Sequence, residues 1–139
     1  MKFTKLIFIF ITLAIYSNSS LANLSNHEYK KMVSKTQCAF ITNLMKPGVL
    51  PQKTIDMAFN NAIEIFKKNN ALLRGYPYNP TDKELARDFA IHYQQLTSDL
   101  YDEMFISLQN QGLSLTPQSW FLIANQYWDS KNCFLVIEK

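Results

Sequence analysis

The sequence predicts an all-α fold: a compact bundle of four to five helices with one disulfide and a short extended C-terminal tail. Three observations predict it. Apolar residues recur at steps of three and four through most of the chain. Helix-start signals stand at three places: Ser25 with Glu28, Thr81 with Glu84, and Thr116 before Pro117. The connections between the periodic segments are short, which favours antiparallel neighbours.

The chain opens "MKFTKLIFIFITLAIYSNSSLA". Lys2 and Lys5 form a short basic region, and Leu6 to Tyr16 is apolar apart from Thr12. Ser20 and Ala22 place small residues three before and immediately before a scissile bond, so cleavage is expected after Ala22. The apolar run of 11 residues falls short of the roughly 20 needed to span a bilayer. Residues 1–22 are therefore read as a cleaved signal peptide and 23–139 as a single helical domain. The residue immediately after the cleavage point is Asn23, not a cysteine, which argues against a lipoprotein. Without Lys2 and Lys5, 12 of the 14 basic side chains remain against 11 acidic ones, a net charge of +1. That balance gives no basic face for nucleic acid. No later apolar run is long enough for membrane insertion.

Ser25 caps the first helix, with Glu28 completing a capping box. Tyr29, Met32, Val33, Ala39, Phe40 and Leu44 follow at helical spacing, and Pro47-Gly48 stops it. Pro51 suits the first turn of the second helix. Ile55, Met57, Phe59, Ile63 and Phe66 give that helix a broad apolar face as far as Leu73. Thr81 and Glu84 open the third helix with a second capping box. Its stripe of Leu85, Phe89, Tyr93, Leu96, Leu100, Met104 and Leu108 runs to Gln111-Gly112, about 30 residues in a helix long enough to span the domain. Thr116-Pro117 starts the fourth, whose Trp120, Tyr127 and Trp128 are core or half-core candidates. Asp129 to Asn132 reads as a turn. Cys133 to Ile137 is β-prone and reads as an extended tail, with a frayed final turn as the other option.

Cys38 and Cys133 are the only cysteines. An even count in an exported chain reads as one disulfide, which would tie the first helix to the tail. Two buried free thiols are the alternative.

Candidate chemistry is sparse. Asp88 with His92, and Asp99 with Glu103, stand one turn apart on the third helix and could share a metal or a proton. A carboxylate-bridged metal bundle needs Glu-x-x-His from two helices, and none occurs here. No metal and no cofactor is therefore expected. Nor does the chain hold a Gly-x-Ser-x-Gly elbow or a phosphate-cradling glycine loop. The expectation is a protein that is not an enzyme.

The connection "LLRGYPYNP", Leu72 to Pro80, holds one of three glycines and two of five prolines. Gly75, Pro77 and Pro80 forbid a continuous helix. Tyr and Arg dominate binding hot spots, and prolines lower the ordering cost of docking. Arg74, Tyr76, Tyr78 and Asn79 are thus the candidate partner-binding residues. The competing reading folds Tyr76 and Tyr78 back over the bundle end.

Three stretches carry a family resemblance: "EYKKMVSKTQCAFITNLM" (Glu28 to Met45), "GYPYNP" (Gly75 to Pro80) and "SKNCFLVI" (Ser130 to Ile137). With Tyr29 nine residues before Cys38 and Lys131 just before Cys133, the chain resembles periplasmic immunity proteins that neutralise type VI secretion amidase effectors. The resemblance implies a helical inhibitor that blocks the cleft of a cell-wall hydrolase with a protruding loop. Arg74 to Asn79 is the nearest candidate for that loop. The expected function is an exported immunity protein, periplasmic or secreted, that binds a protein partner such as a peptidoglycan amidase effector. The alternative is an exported helical module for another envelope or secretion component, with an uncharacterised periplasmic enzyme third. A homodimer is a further option.

Overall fold

A computed structural model describes residues 24–138. The expected signal segment lies outside them. Five helices follow in order: α1 (Asn26–Leu44), α2 (Gln52–Arg74), α3 (Asp82–Asn110), α4 (Pro117–Ser130) and α5 (Cys133–Glu138). The described residues hold no strand.

The caps explain the boundaries. The Ser25 side chain accepts the Glu28 N–H at 3.2 Å. The reciprocal half of that box is missing, because Glu28 turns instead to Lys68 of α2, at 3.2 Å. At α3 both halves form between Thr81 and Glu84. Pro51 is the cap of α2 rather than its first residue, and its carbonyl accepts from Thr54 and Ile55. Pro117 takes the first turn of α4 behind the Thr116 cap.

α1 is the central helix, in contact with the other four. Its closest partner is α2, which returns antiparallel so that Glu28 meets Lys68. Ala39, Ala58 and Ala62, all fully buried, keep the two backbones near each other. Around this seam lie Ile41, Leu100, Met104, Leu108 and Ile123 as the large buried side chains. The α3 backbone runs against α1 and α4. Rings bridge its approach to α2: Phe59 stacks on Tyr93 at 6.0 Å and Phe66 meets Phe89 edge-on at 5.6 Å. The sequence stripe on α3 is thus real but graded, with Leu100, Met104 and Leu108 buried and Leu85, Phe89, Tyr93 and Leu96 half-buried.

Cys38 and Cys133 form the disulfide, with Cα atoms 5.3 Å apart and both residues buried. The tail expected as extended is the helix α5. An extended segment here would have no neighbouring strand among the described residues, and its backbone groups would go unpaired. As a helix it pairs part of them locally, the Val136 N–H donating to the Asn132 carbonyl at 3.1 Å. It also turns Cys133 and Ile137 inward together while Phe134 and Leu135 face out. The Asn61 side-chain amide donates to the Ile137 carbonyl at 2.7 Å, which holds the last turn on α2.

Candidate functional site

The α2–α3 connection is built by a helix end and a ring. Gly75 closes α2 in the left-handed region, φ 71, and its N–H donates to the Ala71 carbonyl at 3.0 Å. A residue with a Cβ is strained there. The chain then runs without helix from Tyr76 to Thr81.

The structure separates the two tyrosines of this connection. Tyr78 is 9% exposed and Tyr76 is 60% exposed. The Tyr78 ring meets Phe66 edge-on at 5.9 Å, and the Arg74 guanidinium lies 4.7 Å from its centroid on α2. Its hydroxyl donates to Asp88 Oδ2 at 3.0 Å. Arg87 donates to the other oxygen of Asp88, also at 3.0 Å. Tyr78 thus covers the bundle end as the competing reading held, whereas Tyr76 projects. Arg74 and Asn79 are exposed.

The charges around this clamp are coupled. Hydrogen bonds from Arg87, and then from Tyr78, hold the Asp88 carboxyl below its usual range. Desolvation, followed by the bond to Asp88, pushes the Tyr78 phenol up. Hydrogen bonds from Thr81 lower Glu84 in the same way. Together these groups line a surface cavity of about 340 Å³ with Arg74, Tyr76 and Asn79 on its rim.

Behind the clamp lies a second cleft of about 360 Å³ between α1, α2 and α3. Asn69 sits in its floor at 1% exposure, and neither atom of its amide has a hydrogen-bond partner among the described residues. His92 Nε2 is likewise unpartnered, and its ring lies 4.7 Å from that of Phe66. Burial lowers the His92 pKa. Leu73, 51% exposed, and Ile91, 53% exposed, stand at the mouth. Neither Asn69 nor His92 could be picked out as unpaired beforehand. In the sequence Asn69 reads as part of the polar end of α2, Lys67-Lys-Asn-Asn70.

The carboxylate pairs of α3 turn to other partners. Asp88 serves Tyr78 and Arg87, and Glu103 accepts from the Tyr127 hydroxyl at 3.2 Å. Among the described residues no three His, Cys, Asp or Glu side chains come together as a metal site would need. A different face carries further aromatic surface: Tyr101 of α3 stacks on Trp120 of α4 at 5.2 Å, with Leu122 and Ile106 exposed.

No helix among the described residues is long and apolar enough to cross a membrane. Comparison of the chain with protein-family models, curated proteins and solved structures finds no match.

Proposed function

We propose that this chain is an exported, periplasmic immunity protein that binds a cell-wall hydrolase toxin of the amidase class and blocks its active-site cleft. The supporting observation is the divided loop. Tyr78 is clamped by Phe66, Arg74 and Asp88, while Tyr76 two residues earlier is exposed, as are Leu72 and Leu73 at the end of α2. A pre-ordered loop with a projecting aromatic loses little entropy on docking, and Tyr and Arg are enriched in binding hot spots. The disulfide suits an oxidising compartment, and the resemblance of the three sequence stretches supplies the target class. Nothing in this reading asks the protein to perform chemistry.

The test is inhibition. Peptidoglycan hydrolysis by an amidase effector encoded beside this chain is measured with and without the purified protein. Stoichiometric inhibition that Tyr76→Ala weakens supports the reading; full hydrolysis in the presence of excess protein rejects it. The Tyr101–Trp120 face favours a second reading, a helical module for another envelope or secretion component. In that case Tyr101→Ala, and not Tyr76→Ala, disrupts the partner.

A further inference from the structure

Away from the loop, on the opposite flank of α1, a third cleft of about 360 Å³ lies between α1 and α5. It shares no lining residue with the cavity at the loop. One wall is Leu135, 51% exposed, and the half-buried Val136. The other is α1, with His27, Lys31, Ser34 and Lys35.

Lys35 is the unusual member. It is 9% exposed, yet among the described residues it has no carboxylate within salt-bridge distance. Two neighbouring α2 lysines are satisfied, Lys67 by Glu64 and Lys68 by Glu28. Lys35 instead has Lys31 one turn away, a second cation without a carboxylate. Two cations side by side on one wall of a cleft, neither held by a carboxylate among the described residues, attract an anion to the space between them. Burial, and then Lys31, lower its pKa, in keeping with that shortage. The lysine stem can lie along apolar surface while its head reaches the cleft.

We propose that the α1–α5 cleft binds a small amphiphilic carboxylate, with Lys35 and Lys31 on the anionic head and Leu135 and Val136 against the apolar tail. The volume falls in the range of small-molecule sites. Charge complementarity selects an anion, and the apolar wall selects one with a hydrocarbon portion. A peptide ending in an apolar residue offers the same head and tail. Its main-chain N–H groups would be desolvated against Leu135 and Val136, the wall that carries no polar side chain, so the free acid is the better occupant.

Octanoate, octanol, acetate and a peptide with a free C-terminal leucine are titrated into the disulfide-intact protein, below the aggregation limit of each, and amide shifts are followed. Octanoate is expected to shift Lys31, Lys35, Leu135 and Val136 and to bind at least about tenfold tighter than octanol or acetate, the scale of one charge-assisted contact. Lys35→Met keeps the stem and removes the charge, and should weaken octanoate about tenfold. Lys31→Gln, at an exposed position, gives the same direction without touching the core. Equal binding of octanoate and octanol overturns the proposal. So does unchanged affinity in both lysine variants, or tighter binding of the peptide than of octanoate.

Discussion

The Tyr78 hydroxyl donates to Asp88 Oδ2 at 3.0 Å and so fastens the α2–α3 connection to the second turn of α3. Ten residues separate the two, and between them lie Pro80 and the Thr81 cap. The connection is therefore held at three points: Gly75, Tyr78 and Thr81.

Truncating the two tyrosines should give opposite results. Tyr78→Ala removes a ring packed on Phe66 and should cost about 2–4 kcal/mol in urea unfolding. Tyr78→Phe keeps the ring and should lose less. Tyr76→Ala should change stability by under about 0.5 kcal/mol but weaken partner binding by roughly 1–3 kcal/mol. Equal destabilisation by both alanine variants would show that Tyr76 is also part of the packed end.

His92 makes the fold acid-sensitive. Its folded pKa lies below the ordinary value because of burial. The unfolded chain therefore binds more protons as pH falls, and stability present above about pH 6.5 is lost below it. His92→Phe retains a flat ring against Phe66 and removes the titration. Unfolding free energies compared from pH 7 to pH 5 should fall less steeply in the variant than in the parent.

Tyr93 contributes to the alkaline limit, with Tyr78 and Tyr127 shifted in the same direction. Desolvation pushes the Tyr93 phenol up to about 12. The folded state keeps the proton longer than the unfolded one, so stability is complete below about pH 10 and is lost as pH rises toward 12. The size of the shift corresponds to on the order of 2 kcal/mol. Tyr93→Phe should flatten this loss, read from thermal unfolding between pH 9 and pH 11.

Reducing the disulfide should lower stability substantially. The chain-entropy relation gives about 4–5 kcal/mol for a loop of this size, which closes over 95 positions. Intact mass should fall by two hydrogens on oxidation, and the melting temperature of the reduced, alkylated protein should drop by well over ten degrees. Two alkylatable thiols in the unreduced, denatured protein would remove the bridge.

Helix existence was legible because caps and periodicity are local. Thr81 with Glu84, and Thr116 with Pro117, mark their helices within four residues of sequence. The α5 helix was legible only as the second option, a frayed final turn. Phe134-Leu-Val-Ile137 favours strand locally, and only the absence of a neighbouring strand and the inward pull of Cys133 and Ile137 decide otherwise. The same limit applied at the loop. Tyr76 and Tyr78 are chemically identical two residues apart, and what separates them is Phe66 below and Asp88 beyond, neither of which sequence spacing reveals. Lys35 was hidden for a related reason, since a lysine inside an amphipathic helix ordinarily marks the solvent side.

The bridge between Cys38 and Cys133 also orders events in time. A ribosome delivers Cys38 well ahead of its partner, 95 positions later, so the ring can close only once position 133 has been made. Any product cut short before position 133 carries a solitary thiol, open to mixed disulfides with other proteins. Oxidation thus distinguishes molecules that include α5 from shorter fragments, and Cys133 serves as a chemical receipt that synthesis passed that helix.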